Sequence, residues 1–125
     1  MVVGLGIDVA SVARVARALE RFGDKLWRRV LTDTERSDGG LVGQRAEFFA
    51  GRFAAKEAAF KALGGPAGVG WLDVQLRRVD RGRPELELLG PARVFAEGLG
   101  VRRALVSVSH DAGVAAAVVV LETGE

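Results

Sequence analysis

Three charged residues stand where the surrounding sequence is apolar. Glu57 and Lys61 are four residues apart within a stretch whose apolar residues recur at helical spacing. That apolar stripe comprises Phe49, Phe53, Phe60 and Leu63. Glu57 lies roughly 40° around such a helix from Phe53, and Asp8 ends an almost wholly apolar run. A carboxylate at the edge of an apolar stripe is costly to bury unless a positive charge neutralises it.

Two half-buried carboxylates with a lysine nearby indicate a site for a metal ion and a phosphate. Mg²⁺ takes one or two carboxylates and completes its octahedron with substrate phosphates and water. We therefore expect Asp8 and Glu57 to hold the metal and Lys61 to meet the phosphate. Taken alone, Asp8 slightly favours an N-cap or turn acid for the helix that follows, although Ser11 is a better-placed cap. Glu57 and Lys61 alone fit an intrahelical ion pair of roughly 0.3–0.5 kcal/mol, which suits a solvated face better.

His110 is the single histidine of the chain and follows the alternating segment Val106–Ser109. A lone histidine is as often a locally hydrogen-bonded hairpin residue as a catalytic one, and no Ser-His-Asp signature accompanies it. The pair Gly4 and Gly6 lacks the third glycine of a dinucleotide fingerprint. These features by themselves point to no particular reaction.

A row of arginines, Arg14, Arg17 and Arg21, occupies one helical face in the first quarter of the chain. Such a row is either a solvated face or a docking strip for an acidic partner, whose association it would accelerate. Nucleic acid is a weaker candidate, because aromatic residues make up only 6% of the chain and tyrosine is absent.

The length of the chain fits one domain over residues 1–125, and the absence of a signal peptide favours the cytoplasm. The chain has 125 residues, of which 49% are hydrophobic, and a formal net charge of +2. A domain of this size gains from oligomerising. Cysteine is absent, which excludes a thiol nucleophile or a thiolate metal site. The opening apolar run is too short to span a membrane.

Helices are expected to dominate the first half of the chain, after a buried strand over 2–7. Ser11 caps a helix over about 12–22 that Gly23 ends, and a further helical turn or two covers 26–31. Thr32 and Glu35 have capping-box spacing. Residues 37–40 are expected to form a loop, and a long central helix runs from about 44 to 63.

The second half changes to the period-two pattern of strands. Leu72, Val74 and Leu76 alternate with polar residues, and a turn at 80–84 precedes a returning strand with Leu86 and Leu88. A short helix covers 91–97, and strands over 104–109 and 114–121 form a second hairpin. The predicted fold is α+β, an antiparallel sheet with the central and shorter helices mainly on one side.

Three motifs in series resemble those of the holo-[acyl-carrier-protein] synthases, the short bacterial 4′-phosphopantetheinyl transferases. The first is Gly4-Leu-Gly-Ile-Asp8, and the third is Val106-Ser-Val-Ser-His110. The second, Phe53-Ala-Ala-Lys-Glu-Ala-Ala-Phe-Lys61, matches the pattern F-x-x-K-E-A-x-x-K and is the most specific. Their order, their spacing and the total length agree, so the resemblance covers essentially the whole chain.

The resemblance implies transfer of 4′-phosphopantetheine from coenzyme A to a serine of apo acyl carrier protein, leaving adenosine 3′,5′-bisphosphate. Asp8 and Glu57 would hold magnesium on the pyrophosphate, and Lys61 would neutralise the phosphoryl group under attack. The resemblance implies a catalytic role for His110 as well. The general base stays open between Glu57, a metal-bound water, Glu35 and Asp38. Asp111 either orients His110 or simply makes the turn.

The resemblance also implies the contacts with both substrates. The contacts expected with coenzyme A are Arg52, Lys56, Lys61, Gly82, Arg83, Pro84, Ser109 and His110. The residues expected to dock the acidic carrier protein are Arg14, Arg17, Arg21 and Arg28. Members of the family are homotrimers with sites between subunits. Neither nucleic acid nor a membrane is an expected partner, and the carrier, fatty-acid or polyketide, is left open.

Two further hypotheses compete with the transferase. A non-catalytic basic module would bind generic duplex nucleic acid with a steep salt dependence and no need for magnesium. A structural trimer would keep the fold without the chemistry, against which the presence of Asp8, Glu57 and Lys61 argues.

Overall fold

A computed structural model describes residues 1–39, 45–79 and 84–124. Within these ranges the elements are β1 (Val2–Ser11), α1 (Val12–Phe22), α2 (Asp24–Val30), α3 (Asp33–Gly39), α4 (Arg45–Ala62), β2 (Val74–Arg78), β3 (Pro84–Leu88), α5 (Gly90–Gly98), β4 (Val101–Asp111) and β5 (Val114–Thr123). A 3₁₀ turn over Trp71–Asp73 precedes β2. The predicted α+β fold with antiparallel strands is confirmed.

The larger sheet is built on a tight hairpin. β5 is its central strand and pairs antiparallel with β1 on one side and β4 on the other. Ala112 and Gly113 join β4 to β5 with φ of 51° and 78°, the positive values that two-residue hairpin turns require. This predicted hairpin is confirmed, although β4 is longer than expected because its pairing with β5 runs from Val101 to Asp111.

Helix α4 lies at the centre of the molecule. Its buried alanines lie on several sides, so other elements approach it closely from different directions. The sheet packs on one side, where Ala58 and Ala62 meet β1. On another side, α4 contributes Phe48 and Phe49 to an aromatic cluster with Trp27 of α2. The prediction of this helix is confirmed as Arg45–Ala62, and Gln44 lies outside the described residues.

The N-terminal helices largely follow the predicted caps. α1 covers the expected residues, and Ser11 Oγ accepts a hydrogen bond from Arg14 N at 3.2 Å. The capping box also forms, because Thr32 N donates to Glu35 Oε1 and Glu35 N donates to Thr32 Oγ1. The loop predicted at 37–40 is wrong for Ser37–Gly39, which complete α3. Gly40 lies outside the described residues.

In the smaller hairpin, the first residue of the predicted alternating pattern lies outside the strand. β2 and β3 pair from Val74 with Leu88 to Arg78 with Pro84. Leu72, predicted inside the strand, instead belongs to the 3₁₀ turn and is 48% exposed. Asp73 explains the difference, because its Oδ2 accepts a hydrogen bond from Gly70 N and so forms the turn. α5 is confirmed, with proline in its first turn.

Strand β1 is buried on one face only, so the prediction of a buried strand is half wrong. Gly4, Gly6 and Ala10 face α4. The alternate residues Leu5, Ile7 and Val9 are 65%, 63% and 63% exposed. Their face continues across Val118 and Val120 of β5 to Leu105 of β4. An apolar run predicts burial on both faces, and one copy of the chain covers only one.

None of the helices in the described ranges is long and apolar enough to cross a membrane.

Candidate active site

Two glycines seat β1 directly on the backbone of α4. A Cβ at Gly6 would lie 1.9 Å from Ala58 O, and a Cβ at Gly4 would lie 2.3 Å from Ala62 O. No side chain fits in these gaps, so Gly-x-Gly here is a helix-docking device. The close approach carries the end of β1 alongside the C-terminal half of α4, where Glu57 and Lys61 stand.

Lys61 joins the strand to the helix. Its Nζ lies 3.0 Å from Asp8 Oδ1 and also donates to Ile7 O at 3.0 Å. The Lys61 side chain is 57% exposed and that of Asp8 is 19% exposed. Within the described residues, Lys61 therefore pairs with Asp8 and forms no intrahelical ion pair with Glu57. Of the three residues predicted to carry the chemistry, Asp8 and Lys61 are in contact. Glu57 lies one helical turn from Lys61 along α4.

Glu57 is half-buried and holds a hydrogen bond that the sequence did not reveal. Its Oε2 accepts from the indole Nε1 of Trp71 at 2.9 Å. Oε1 accepts no hydrogen bond from the described part of the chain. One oxygen is therefore fixed by the protein and the other stays available to an outside partner.

The donor set suits magnesium. The described residues contain no group of three or more His, Cys, Asp and Glu side chains able to hold a metal. Mg²⁺ does not need such a group, because it is usually bound through one or two carboxylates together with substrate phosphates and water. Asp8 and Glu57 supply hard oxygen ligands of this kind, and Lys61 supplies a neighbouring cation.

Lys56, predicted to contact coenzyme A, lies in the core of the described structure. Its side chain is completely buried, and its Nζ lies 2.7 Å from Glu35 Oε1. The same ammonium donates to Trp71 O and Val74 O. Burial lowers the pKa of Lys56, and the charge of Glu35 opposes that effect. In one copy of the chain, this geometry gives no support to a phosphate contact of Lys56 or to Glu35 as the general base.

Arg52 presents buried donors that suit an anion. Its Nε and Nη2 are buried and have no hydrogen-bond partner within the described residues. Its guanidinium lies 4.3 Å from the centroid of the Phe48 ring. Burial lowers the pKa of Arg52, and the positive charge of Arg78 lowers it further. Unpaired buried donors of a cation are costly, and an anionic ligand such as a nucleotide phosphate would satisfy them.

His110 and Ser109 lie on opposite faces of β4. The His110 ring packs over Gly51 of α4, where a Cβ would come within 3.0 Å of Nε2, and that nitrogen lies 3.0 Å from Glu47 O. Ser109 pairs with Ala116 on the uncovered sheet face. One chain therefore does not bring these two predicted contacts together. Asp111 forms no hydrogen bond with His110 within the described residues, so its orienting role gains no support.

The predicted nucleotide turn is described only in part. Pro84 begins β3 opposite Arg78. Gly82 and Arg83 lie outside the described residues.

The arginine row lies on an exposed face of α1, beside an apolar groove. Arg14, Arg17 and Arg21 are exposed, as is Arg28 in α2. Within the described residues, none of these four arginines forms an ion pair. The groove has a volume of ≈ 390 Å³ and is lined by residues that include Val9, Ala10, Arg14, Phe49 and Phe53. Val9 and Ala10 follow Asp8 in β1, and neither Asp8 nor Glu57 is among the described residues that line the groove.

The sequence predictions included neither the burial of Lys56 with Glu35 nor the contact between Trp71 and Glu57. Helical spacing could have placed Lys56, because it shares a face with the fully buried Ala59 and the nearly buried Leu63. No local signal identifies Trp71, since its contact with Glu57 spans 14 residues.

Similarity to known proteins identifies this chain as a transferase. The chain belongs to the 4′-phosphopantetheinyl transferase superfamily, whose family model matches residues 4–119. A holo-[acyl-carrier-protein] synthase of Koribacter versatilis is 44% identical over 98% of this chain and 99% of its own length. One of Beutenbergia cavernae is 47% identical over 98% and 99%.

Solved structures agree with this assignment. The holo-(acyl-carrier-protein) synthase of Bacillus anthracis in complex with CoA (3′,5′-ADP) is 41% identical, covers 99% of both chains and has a TM-score of 0.80. The synthase of Neisseria meningitidis is 32% identical, covers 98% of this chain and 100% of its own, and has a TM-score of 0.89.

Proposed function

We propose that this chain transfers 4′-phosphopantetheine from coenzyme A to a serine of an apo acyl carrier protein. The observation that carries the proposal is the contact of Lys61 with Asp8 one helical turn from Glu57. The relatives named holo-[acyl-carrier-protein] synthase and the solved complexes with coenzyme A support the same reaction.

The bond changes of this reaction are those of a phosphoryl transfer. The serine oxygen attacks the phosphorus that carries pantetheine, and the bond from that phosphorus to the bridging pyrophosphate oxygen breaks. Adenosine 3′,5′-bisphosphate leaves, and the serine proton passes to a base. Positioning and electrostatic stabilisation supply most of the acceleration in such reactions. Lys61, more than half exposed beside Asp8, would neutralise charge on the transferred phosphoryl group.

Asp8 and Glu57 would hold magnesium. When bound, the ion neutralises phosphate charge and orients the reacting groups. Glu57 would bind through Oε1, because Oε2 is engaged by Trp71. Of the candidate bases, Glu57 and a water at this site remain, together with Asp38, whose Oδ2 accepts from Arg78 N at 3.4 Å.

The nucleotide end of coenzyme A would meet Arg52 and His110. The unpaired donors of Arg52 support an anionic contact. Ser109 would join the same site only from the uncovered sheet face. The turn at Gly82, Arg83 and Pro84 remains a proposed contact.

The carrier protein would dock on the arginine row and Arg28. Four exposed cations without acidic partners in the described residues suit a negatively charged surface. Charges at the rim of an interface mainly raise the association rate, and salt screens them. The neighbouring groove is lined by Arg14 of this surface and by Val9 and Ala10, which follow Asp8 in β1.

The working assembly would be a homotrimer acting in the cytoplasm, with active sites between subunits. The uncovered apolar face of β1, β5 and β4 supports such an assembly, because exposed apolar patches of this kind mark interfaces. A second copy that covers Ile7 and Val9 would lie within one residue of Asp8 along the strand. Copies of the chain would then share the site.

Intact-protein mass spectrometry tests the reaction. An apo acyl carrier protein incubated with this chain, coenzyme A and MgCl₂ should gain the mass of phosphopantetheine, and a chelator should prevent the gain. Glu57→Gln should abolish transfer while the protein stays folded. Glu97→Gln, in the exposed helix α5, makes the same chemical change away from the site and should leave transfer intact. No mass gain on fatty-acid or polyketide carriers, with the chain folded, would refute the proposal.

A further inference from the structure

Trp71 is held at both ends by neighbouring residues of α4. Its indole Nε1 donates to Glu57 Oε2 at 2.9 Å, and its backbone oxygen accepts from Lys56 Nζ at 2.9 Å. Its ring also packs on Phe53, with centroids 5.9 Å apart. Residues 56 and 57 are consecutive, so one short segment of the helix fixes both the backbone and the side chain of Trp71.

The lysine end of this arrangement is anchored in the core. Lys56 pairs with Glu35, and both side chains are fully buried. Glu35 in turn accepts hydrogen bonds from Thr32 N at 2.9 Å and Leu76 N at 2.8 Å. The Lys56 ammonium also donates to Val74 O, so it ties both ends of the 3₁₀ turn to α4. The indole is therefore placed by a rigid set of contacts.

We infer that Trp71 is a positioning residue that makes Glu57 a metal ligand through a single oxygen. This inference rests on the proposed function. The indole N–H occupies Oε2 and fixes the orientation of the carboxylate, which leaves Oε1 for the cation. Hydrogen-bond partners of ligating groups typically contribute 10–100-fold to metal affinity.

A single-oxygen ligand also discriminates between cations. Ca²⁺ accepts carboxylates through one or both oxygens in a flexible geometry, whereas Mg²⁺ demands a near-ideal octahedron. Removing the indole N–H frees Oε2 for two-oxygen binding. The site should then bind Mg²⁺ less well and Ca²⁺ relatively better.

Trp71→Phe keeps an aromatic ring against Phe53 and deletes the N–H. We expect the Mg²⁺ concentration for half-maximal transfer to rise about tenfold, with the rate at saturating Mg²⁺ close to that of the wild type. Inhibition by CaCl₂ at fixed MgCl₂ should strengthen. Trp27→Phe, in the aromatic cluster of α2, is the matched control and should change neither value. Unchanged Mg²⁺ dependence and unchanged Ca²⁺ inhibition in Trp71→Phe would overturn the inference.

A measurement on the wild-type chain decides the question even if Trp71→Phe fails to fold. The chain has two tryptophans, so its ¹⁵N-labelled spectrum has two indole N–H signals. MgCl₂ added with coenzyme A, in the absence of carrier protein, should shift the Trp71 signal and leave that of Trp27 in place. In Glu57→Gln, which can still accept from the indole, the response should disappear.

The outcomes separate this inference from the proposed function. A wild-type chain that transfers phosphopantetheine with Mg²⁺ while the Trp71 signal stays unmoved would overturn the positioning role alone. A wild-type chain with neither transfer nor a response to Mg²⁺ would overturn both.

Discussion

The chemistry of individual side chains in this protein depends on what lies behind them. Lys56 and Glu57 are adjacent in the sequence, yet Lys56 is buried in the core with Glu35, whereas Oε1 of Glu57 has no hydrogen-bond partner within the described residues. A buried ion pair adds little net stability, because desolvation offsets its attraction, but removing one partner leaves an uncompensated charge. The main role of the Glu35–Lys56 pair is therefore to hold the backbone of Trp71 in position.

Removing the charge of Lys56 should lower the free energy of unfolding of the chain. Lys56→Met leaves the Glu35 carboxylate buried without a cation, and we expect a loss of about 3–5 kcal/mol in the free energy of unfolding. The double variant Lys56→Met, Glu35→Gln should recover part of that loss, since the buried charge is gone. Urea unfolding measures both.

The matched control is Arg93→Met, which breaks the exposed pair with Glu97 and should leave stability unchanged. A loss below about 1 kcal/mol in Lys56→Met would contradict the role given to this pair.

Residue patterns alone located Asp8, Glu57 and Lys61, because charges interrupting apolar runs are visible without a structure. They could not identify the partners of Lys56, which lie 21 residues upstream and 15 and 18 residues downstream. Long-range contacts of this kind leave no local periodicity. The contact between Trp71 and Glu57 could not be predicted for the same reason, because it spans 14 residues.

The docking of β1 on α4 is the contact between elements on which the site depends. Gly6→Ala would place a Cβ 1.9 Å from Ala58 O, and neither backbone can yield without moving Asp8 relative to Lys61. We expect a stability loss of about 1–3 kcal/mol or more and a fall in transfer rate.

Gly98→Ala is the matched control for this docking. An added Cβ at Gly98, in α5, meets nothing within 4 Å. Its substitution should raise stability slightly, because alanine is the better helix former. Thermal unfolding and the mass-gain assay report the two effects. A Gly6→Ala chain with wild-type stability and rate would refute the docking role.

Helices and strands were predicted correctly where residues close in sequence determine their ends. The prediction failed where a contact with a distant element is involved. Ser11 and Gly23 bound α1 as expected. The loop expected at Ser37–Gly39 is instead the end of α3, and Gly39 lies against the ring of Phe48, where a Cβ would lie 2.5 Å from Cε2. Sequence periodicity cannot register that approach.

At the scale of the whole molecule, a single copy does not explain why one face of the sheet is apolar and exposed. The apolar residues of β1 predicted burial on both faces, and the isolated chain buries the glycine face alone. The prediction was wrong for one copy, and a trimer through this face would account for it.

Leu5→Asp tests that assembly. Leu5 is 65% exposed on the uncovered face, in the edge strand β1, and pairs with Val120 of the central strand. An aspartate there would bury an unpaired charge in a subunit interface, so we expect monomers by analytical ultracentrifugation and loss of transfer, with the circular dichroism of each chain preserved. Val94→Asp in α5, 69% exposed and away from the sheet, should leave both the trimer and transfer intact. A Leu5→Asp trimer with normal transfer would show that this face is not the interface. Active Leu5→Asp monomers would show instead that each chain carries a complete site.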